Sequence, residues 1–348
     1  MENLRCARLR ERLQENKLDG YLTFDTSDVL YLSGMPSEGC FVLVSREGDY
    51  IFAPLLLAEH ARAVAGKSMT VVDDRRLLKA MAAIMKKKGL KKIGYDPDKV
   101  QVGLFKALES IPKVSWVGIG GFILSQRMFK DNNEIDAITQ ACRLTARSAK
   151  KCYEMLEAGL TEQETSFRLE RLFQDGGSLK PAFETIIAFG ENAAYPHHVV
   201  TPRKLRSGDS VLMDCGSSIK GYKSDLTRTA GFGKMSPKYQ KIYRIVQESQ
   251  SAGIAAVRDG VTAGKVDFVC REYIRKAGYG DYFVHGTGHG VGLDIHEPPR
   301  LGIAVKDILK EGMVVTVEPG IYLPGEFGVR IEDTVLVTKG GCKILTQA

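Results

Sequence analysis

Hydrophobic and polar positions alternate with two different periods along the first third of the chain. Apolar residues recur every three or four positions in some segments, which predicts helices, and form short runs in others, which predicts strands. The predicted helices cover residues 2–14, 55–65, 75–88 and 102–110. The predicted strands cover residues 20–24, 70–72, 92–95 and 115–117, with a hairpin in CFVLVSREGDYIFAP that turns at 46–49. This alternation predicts a compact α/β domain over residues 1–125.

From residue 126 onward, the pattern predicts the same order of elements twice. EAGLTEQETSFRLERLF parallels RDGVTAGKVDFVCREYI, and a long helical pattern precedes each segment. In both copies a threonine, Thr161 or Thr262, stands where a helix N-cap is expected. Downstream, RSGDSVLMDCG parallels KEGMVVTVEPG, and each opens a strand-like hairpin. The repeat predicts an α+β domain over residues 126–348, with its two copies packed around a pseudo-twofold axis.

Each predicted hairpin carries two carboxylates. Asp214 and Asp225 lie in the first hairpin, and Glu318 and Glu332 lie in the second. A turn between the members of each pair would bring them opposite each other, with Cβ atoms about 5 Å apart. We therefore expect all four carboxylates to converge at the centre of the repeat.

Four carboxylates in apolar strands repel one another, and burying them without a positive partner is costly. One explanation is structural, with Arg228 and Arg330 forming two buried salt bridges. The other is a pair of divalent cations bound by the carboxylates and one imidazole. Mostly oxygen ligands with one imidazole suit manganese, iron, cobalt or zinc.

The segment HGTGHGVGLDIHEPPR, residues 285–300, holds half of the chain's six histidines. A dinucleotide-binding loop needs a helix after its glycines, and Pro298 and Pro299 stop one. A zinc-protease helix needs two histidines spaced like His285 and His289, but the glycines around them disfavour a helix. The glycines instead allow backbone and metal to approach closely. The segment is therefore predicted to supply a histidine ligand, His289, to the carboxylate site.

Composition narrows the class of protein. The chain has 348 residues, 44% of them hydrophobic and 26% charged, with no apolar run of membrane-spanning length and no apolar signal-peptide region. The net charge is +7, but the densest basic run, at 86–92, fits a solvated helix end better than a nucleic-acid surface. Seven cysteines without a C-x-x-C pattern indicate reduced thiols. We expect a cytoplasmic protein without membrane or nucleic-acid partners.

Five segments resemble a known family: MDCG, SDLTRT, HGTGHGVGLDIHEPPR, VEPGIY and VRIEDT are similar to the creatinase/prolidase/aminopeptidase P superfamily of pita-bread metallopeptidases. The resemblance covers nearly the whole chain. It implies a pita-bread catalytic domain preceded by a smaller creatinase-like α/β domain. It also implies two divalent metal ions, with manganese preferred over cobalt, zinc or iron, and a homodimer.

The resemblance assigns five metal ligands, namely Asp214, Asp225, His289, Glu318 and Glu332. In this assignment Asp225 and Glu332 bridge the two ions. Asp214 binds one ion, and His289 binds the other together with Glu318. Glu318 also acts as the general base.

The resemblance also assigns three histidines that contact the substrate or steady the reaction intermediate, namely His197, His285 and His296. Two alternatives remain at this stage. His198 is adjacent to His197 and is the alternative residue facing the site. His296 precedes Glu297 and has the alternative of pairing with that carboxylate.

Arg300 and Arg330 match positions that meet the carboxylate at the proline end of the substrate in prolidases. Arg330 has an alternative role, because it lies two residues from Glu332 on the same strand face and can neutralise Asp214. Arg300 and the compact chain favour dipeptides as substrates.

The implied reaction is hydrolysis of an N-terminal Xaa-Pro bond by a dipeptidase, with aminopeptidase P activity on longer peptides as the alternative. Methionine aminopeptidases share the ligands but usually lack a large N-terminal domain. A metal-free creatinase-like hydrolase and a non-catalytic binding module are further alternatives on this fold. The complete set of ligands argues against both.

Overall fold

The structure is a computed structural model that describes residues 4–65 and 69–347. The chain divides into two compact units, Met1–Gln126 and Arg127–Ala348, called unit 1 and unit 2 below. Residues 2 and 3 of the first predicted helix lie outside the described residues. Among the described residues, no helix combines the length and the apolar composition that a bilayer crossing requires.

Unit 1 is built around one six-stranded mixed sheet with the strand order β4-β3-β2-β1-β5-β6. Its elements are α1 (Leu4–Glu15), β1 (Gly20–Thr23), α2 (Thr26–Ser33), β2 (Phe41–Ser45), β3 (Gly48–Phe52), a 3₁₀ turn (Leu55–Leu57), α3 (Ala58–Ala65), β4 (Thr70–Val72), α4 (Leu77–Lys88), β5 (Lys92–Tyr95), α5 (Val102–Glu109) and β6 (Ser115–Gly118). β1 pairs antiparallel with β2 and parallel with β5, so the sheet combines a hairpin with crossover connections.

The sequence predicted the strands of unit 1 closely but missed one helix, α2. The side chain of Asp25 caps this helix by accepting a hydrogen bond from the backbone N–H of Asp28. Gly34 ends it in the left-handed conformation, with φ of 78°. These two residues are the usual signals of a helix start and stop. Five of its eight residues are buried, so its apolar and polar positions do not separate onto two faces as they do in an amphipathic helix.

Unit 2 contains two copies of a helix–helix–sheet arrangement. From the unit boundary onward the elements are α6 (Leu124–Arg127), α7 (Asn132–Glu154), α8 (Glu162–Asp175), β7 (Ile186–Phe189), a 3₁₀ turn (Gly190–Ala194), β8 (Ser210–Cys215), β9 (Ser218–Ile219), β10 (Tyr222–Lys223), β11 (Leu226–Gly231), α9 (Pro237–Ala256), α10 (Ala263–Lys276), a second 3₁₀ turn (Gly280–Tyr282), β12 (Gly288–Gly290), β13 (Glu297–Leu301), β14 (Val314–Val317), β15 (Gly320–Leu323), β16 (Phe327–Arg330), β17 (Asp333–Thr338) and β18 (Gly341–Ile344).

Each copy has its own hydrophobic core, and we call the copies the first half and the second half of unit 2. In the first half, α7 and α8 pack on the sheet β11-β8-β7. In the second half, α9 and α10 pack on the sheet β13-β12-β14-β17-β18. An isolated β-bridge joins Thr161 to Lys204 in one half and Thr262 to Ile308 in the other, so the repeated segments make the same connection.

The two predicted helix N-caps behave differently. Thr161 forms a capping box with Glu164 at the start of α8. Thr262 occupies the N-cap position of α10, but its side chain makes no capping hydrogen bond. The third residue of α10 is Lys265, which cannot accept a hydrogen bond and complete the box.

The two halves are joined along the β11 strand. The backbone N–H of Glu332 donates to the carbonyl of Thr227 at 3.0 Å. The hydroxyl of Thr334 donates to the carbonyl of Asp225 at 2.8 Å. These bonds hold the segment before β17 against the segment before β11, which brings the carboxylates of both halves together.

The register of the first hairpin differs from the prediction. Asp214 pairs with Thr227 across β8 and β11, so Asp225 is not directly opposite Asp214. Asp225 precedes Thr227 by two positions and therefore lies on the same face, diagonal to Asp214. The reason is that the chain turns at Lys220 and Gly221, both with positive φ, which is one residue later than the turn that would place Asp225 opposite Asp214.

The second hairpin keeps the predicted register. Val317 pairs with Asp333 on one side of the two glutamates, and Gly320 pairs with Arg330 on the other. The same register, continued between these pairs, places Glu318 across from Glu332.

Candidate metal centre

Four carboxylates stand at the inner ends of four strands of unit 2. Asp214 is in β8, Asp225 immediately precedes β11, Glu318 immediately follows β14 and Glu332 immediately precedes β17. Asp225 and Glu332 are buried, whereas Asp214 and Glu318 keep a small exposed area. The structure thus brings the four predicted carboxylates to one place, with two deep and two nearer the solvent.

His289 contributes an imidazole to the same cluster from β12. Its Nε2 lies 3.5 Å from Asp225 Oδ2 and 3.3 Å from Glu318 Oε1. Its Nδ1 donates to the carbonyl of Gly290 at 3.0 Å, which leaves the Nε2 lone pair directed at the carboxylates. One ligand atom each of Asp225, His289 and Glu332 lies within 4.8 Å of the other two.

The glycine-rich segment forms a strand, which removes both alternative motif assignments. Gly288–Gly290 is β12 and pairs with β13 and β14, so it is neither a zinc-protease helix nor a loop that opens a helix. A Cβ on Gly288 would collide with the carbonyl of Thr316, and a Cβ on Gly290 would collide with the carbonyl of Pro298. Glycine is required there because β12 packs closely against neighbouring backbone.

Arginine neutralises only part of the cluster. Arg330 pairs with Asp214, with Nη2 at 2.5 Å from Oδ2. Arg228 instead pairs with Asp333, at 2.6 Å, and so is directed away from the four carboxylates. The structural explanation with two arginine salt bridges is therefore wrong for one of its two pairs, and three carboxylates still need a positive partner.

The electrostatic cost of this arrangement is visible in the pKa values. Burial, reinforced by neighbouring carboxylates, holds the pKa of Asp225 and that of Glu332 well above their ordinary values. Burial also raises the pKa of Glu318 to about 7. Carboxyl groups shifted in this direction lack a compensating cation.

The donor atoms fit divalent cations. Among the described residues, Asp214 Oδ1 and Glu332 Oε1 are buried without a hydrogen-bond partner, which is costly unless something binds them. Donors about 2.1 Å from one cation lie roughly 3–3.5 Å apart, similar to the separations around His289 Nε2. Four carboxylates and one imidazole are a donor set for manganese, iron, cobalt or zinc.

Two threonines that the sequence analysis did not select hold these ligands. Thr316 accepts a hydrogen bond from the backbone N–H of His289 and donates to Glu318 Oε1, both at 3.0 Å. Thr227 donates to Glu332 Oε2 at 2.6 Å. Thr316 lies two residues before the carboxylate that it supports, in TVE, and this spacing is a signal for a supporting hydroxyl. Thr227 supports a carboxylate of the other half, and its spacing along the chain gives no such signal.

The structure distinguishes His197 from His198. The ring of His198 is hydrogen-bonded through Nε2 to the buried carboxylate of Glu162 at 2.8 Å. His197 is exposed, and a positive charge on it would lower the pKa values of Glu318 and His285. His197 is therefore the member of the pair nearer the cluster.

His285 is paired with a tyrosine that the sequence analysis did not consider. Its Nδ1 donates to the carbonyl of Gly286, and its Nε2 lies 2.7 Å from the hydroxyl of Tyr322. Burial, with the nearby charge of Arg330, lowers the pKa of His285 to about 4. A neutral ring with Nδ1 protonated accepts a hydrogen bond from the tyrosine hydroxyl at Nε2, so both ring nitrogens are already hydrogen-bonded. The signal for Tyr322 is its place in the motif VEPGIY.

His296 does not pair with the residue that follows it. Glu297 is buried and bonds to Arg127 at 2.5 Å and to Lys130 at 3.0 Å. The ring of His296 is perpendicular to that of His289, with centroids 4.4 Å apart. Burial, and after it His289, lowers the pKa of His296, which therefore stands neutral beside the cluster.

The two candidate arginines have different surroundings. Arg330 is buried, and its guanidinium donates to Thr227, Tyr322 and Asp214. Arg300 is exposed and is directly across from His289 between β12 and β13, so both side chains project from one face. The donors of Arg330 are engaged by these side chains of the protein, whereas Arg300 lies at the solvent side of the cluster.

Comparisons with known proteins agree with this geometry. The profile of "Metallopeptidase family M24" matches residues 136–339, and that of "Creatinase/Prolidase N-terminal domain" matches residues 5–129. An "Xaa-Pro dipeptidase" of Pyrococcus furiosus is 36% identical over 344 residues, covering 99% of this chain and 97% of the relative.

Two solved structures are also similar over nearly the full length. An Xaa-Pro dipeptidase from Bacillus anthracis superposes with a TM-score of 0.96 at 32% identity, covering 99% of this chain and 97% of that one. An X-Pro aminopeptidase from Thermotoga maritima superposes with a TM-score of 0.92 at 30% identity, covering 99% and 98%. The mixed architecture of this chain is thus that of a creatinase-type N-terminal domain followed by a pita-bread catalytic domain.

Proposed function

Because the chain belongs to metallopeptidase family M24, we propose that it hydrolyses the bond between an N-terminal residue and proline, with dipeptides as its main substrates. The observation that carries the proposal is the cluster of four carboxylates and one imidazole served by a single arginine. The dipeptidases among its relatives support the choice of substrate.

The cofactor that we propose is a pair of divalent cations, with manganese as the physiological ion. Asp214, Asp225, His289, Glu318 and Glu332 would hold them, and the two buried members, Asp225 and Glu332, would bridge. When bound, the cations supply a water of near-neutral pKa and polarise the scissile carbonyl.

The chain's own residues then move protons and hold the substrate. Glu318 takes the proton of the attacking water as general base. Thr316 keeps the Glu318 carboxylate in place by donating to Oε1. His197 and His296, both at the exposed side of the cluster, contact the substrate backbone at the scissile bond.

His285 acts through Tyr322. The neutral imidazole of His285 accepts a hydrogen bond from the tyrosine hydroxyl, and Arg330 donates a hydrogen bond to the tyrosine oxygen at 2.8 Å. This chain of hydrogen bonds fixes the orientation of the hydroxyl beside Asp214. Because the tyrosine proton is donated to His285, we propose that the pair acts by holding Arg330 beside Asp214; the role of His285 in steadying the reaction intermediate stays a prediction of the resemblance.

Arg300 provides the specificity for dipeptides. A dipeptide ending in proline carries its carboxylate one residue from the scissile bond, and Arg300 is the exposed cation on the face of His289. Arg330 is the second candidate for this contact, but its donors are engaged by Thr227, Tyr322 and Asp214.

The test is hydrolysis of Ala-Pro, Ala-Pro-Ala and Ala-Ala by purified protein loaded separately with manganese, cobalt, zinc or iron(II). We expect Ala-Pro to be cleaved fastest, and Ala-Ala slowly or not at all. Faster cleavage of Ala-Pro-Ala would instead favour aminopeptidase P activity, the second candidate, which similarity to the X-Pro aminopeptidase supports.

Two further outcomes separate the other classes. Bound metal without turnover of any peptide would indicate a binding module. Turnover that survives complete chelation would indicate a metal-free, creatinase-like hydrolase.

We also propose a cytoplasmic homodimer. The cytoplasmic location rests on the seven cysteines, none of which forms a disulfide in the structure and six of which are buried. The dimer rests on the resemblance to the family, and light scattering of the purified protein tests it.

A further inference from the structure

Two buried carboxylates outside the metal centre each hold the loop that carries an active-site histidine. We propose that Glu162, on α8, positions His197, and that Asp267, on α10, positions His285 through Arg271. Each half of unit 2 would thus align one histidine of its own loop from the second helix of that half. The proposal rests on the function proposed above, since it treats the two histidines as parts of that site.

Glu162 is the first of these positioning residues. Its side chain has no exposed area. One oxygen accepts from the backbone N–H of Phe189 and from the side chain of Asn192, both at 2.9 Å. The other accepts from the ring of His198 at 2.8 Å, and from the N–H and hydroxyl of Thr201 at 2.9 Å and 2.6 Å. One carboxylate therefore holds both ends of the loop 189–201.

His197 lies inside that loop, between anchored neighbours. On its C-terminal side, His198 is turned toward α8 by its bond to Glu162. On its N-terminal side, the carbonyl of Pro196 accepts from Arg330 Nη1 at 3.4 Å. With both neighbouring residues held, the direction in which the Cα–Cβ bond of His197 leaves the backbone is restrained.

Asp267 does the equivalent work in the second half. It is buried and accepts from the N–H of Thr287 at 3.1 Å and from its hydroxyl at 2.9 Å. It also accepts from Arg271 Nε at 3.0 Å. Arg271 in turn donates to the carbonyls of Phe283 and His285 at 2.9 Å and 2.7 Å. The loop is held on both sides of His285 and at His285 itself.

The two hydrogen-bond arrangements use different side chains because the two loops present different backbone and side-chain groups. The loop 189–201 presents N–H and O–H donors to α8, and the carboxylate of Glu162 accepts from them without help from another side chain. The loop 283–287 presents two carbonyls to α10, which need a donor, and Arg271 supplies it. A buried carboxylate is costly unless it is fully hydrogen-bonded, and both carboxylates meet this condition through the histidine loop.

The test is a pair of double-mutant cycles measured as kcat/KM on Ala-Pro. Glu162→Gln keeps the shape of the side chain but replaces one acceptor oxygen by a donor, so the loop shifts. A small misplacement of a reacting group lowers the rate by about 10²-fold. We expect such a loss for Glu162→Gln alone, and almost no further loss when it is added to His197→Ala, because the two residues act as a unit.

The matched control combines each carboxylate substitution with the histidine substitution of the other half. In a His285→Ala background, Glu162→Gln should keep most of its effect, because the two loops are held by different carboxylates; a small coupling is expected through Arg330, which donates to both Pro196 and Tyr322. Asp267→Asn should show the opposite pattern and lose its effect only in the His285→Ala background. Arg271→Lys, which retains the charge but not the paired donors, should resemble Asp267→Asn. Bound metal, measured by elemental analysis, should stay at the wild-type level in all of these variants.

Equal losses from Glu162→Gln in all three backgrounds would overturn the proposal, because a general effect on the fold does not depend on which histidine is present. If Glu162→Gln does not fold, Thr201→Val removes one donor to the same carboxylate and enters the same cycle. Crystal structures of the variants test the positioning without any assay. His197 should move in Glu162→Gln while His285 stays, and an unmoved His197 would refute the proposal. A wild-type protein inactive on every Xaa-Pro peptide would refute the proposed function alone.

Discussion

The two halves of unit 2 share a backbone plan but not a chemistry. Both place one carboxylate at the end of a strand and a second just before the antiparallel partner of that strand. The two hairpins meet along β11. The first half contributes the shorter aspartates from a three-stranded sheet. The second half contributes glutamates from a five-stranded sheet, and its strand β12 brings His289. Duplication of the fold explains why carboxylates converge, but only the second half explains why the site has a nitrogen ligand.

The halves also neutralise their less buried carboxylates differently. Asp214 is paired with Arg330, a residue of the other half, at 2.5 Å. Glu318 accepts a hydrogen bond from a threonine hydroxyl and lies 3.3 Å from an imidazole nitrogen, and burial raises its pKa to about 7. The first half thus offers a carboxylate paired with an arginine, whereas the second offers one held by a threonine hydroxyl. This asymmetry supports the proposal that Glu318 is the general base.

The largest expected effect is at the bridging positions. Asp225→Asn, in the first half, should lower kcat by more than the roughly 10²-fold that supporting residues of a metal site cost. Bound metal should fall with it, because an amide is a poor bridging ligand, while the far-ultraviolet circular dichroism stays as in the wild type. Glu332→Gln, in the second half, is the matched variant and should behave alike. Unchanged activity in Asp225→Asn would refute the bridging role.

Removal of the metal should reverse the effect of pH on stability. A carboxyl whose pKa is raised by folding stabilises the protein fully below its unfolded pKa, and this contribution is lost as the pH rises through the folded pKa. For Glu318 that window runs from about 4.5 to about 7. We expect metal-free protein to lose about 3 kcal/mol of unfolding free energy across it from this group.

Denaturant titrations in chelator and in manganese, at pH 5 and pH 8, measure this difference. Metal-loaded protein should not lose stability over the same window, because cations bind the deprotonated ligands. Glu318→Gln is the control and should weaken the pH dependence of the metal-free form. Metal-free wild type that gains stability between pH 5 and pH 8 would contradict the pKa of Glu318.

Smaller losses are expected from the two supporting hydroxyls, one in each half. Thr227→Val removes the donor to Glu332, and Thr316→Val removes the donor to Glu318. Each should cost about 10- to 100-fold in metal affinity or activity. Because Glu318 is the proposed base, Thr316→Val should shift the pH profile of kcat upward, whereas Thr227→Val should chiefly weaken metal binding. Identical profiles for both variants would remove the functional distinction between the halves.

The smallest expected effect concerns substrate length. Arg300→Ala should lower kcat/KM for Ala-Pro by about 10-fold, the value of one exposed charge contact, and should affect Ala-Pro-Ala less. A dipeptide places its carboxylate within reach of Arg300, and a tripeptide does not. Arg300→Lys, which keeps the charge, should recover part of the loss. Equal losses on both peptides would remove the argument for a dipeptidase.

Most of the fold was predictable because its signals are local. The strands 70–72 and 92–95 were predicted with the bounds that the structure has, since short apolar runs between polar turns mark them. Helix α2 was missed because most of its residues are buried, so it has no separate apolar and polar faces to mark it. The register of the first hairpin was misjudged because a one-residue change at its turn moves the opposite residue by two positions.

The site was predictable in its composition but not in its contacts. The order of Asp, Asp, His, Glu and Glu along the chain identified the five candidate ligands before any distance was known. Tyr322 was not selected because a tyrosine in a strand is usually a packing residue. Its contacts with His285 and Arg330 give it a polar role.

The sequence by itself determined the duplicated fold and which side chains can bind a metal, because residue type, spacing and period are properties of the chain. Only the tertiary structure decided that His198 faces Glu162, that Arg330 is taken by Asp214 and that Arg228 is not in the cluster. These outcomes depend on pairs of residues that are far apart in the chain but lie within a few ångströms of each other in the fold. The strength of an ion pair or hydrogen bond falls steeply as its two atoms separate by a few ångströms, and no pattern along the sequence gives such distances.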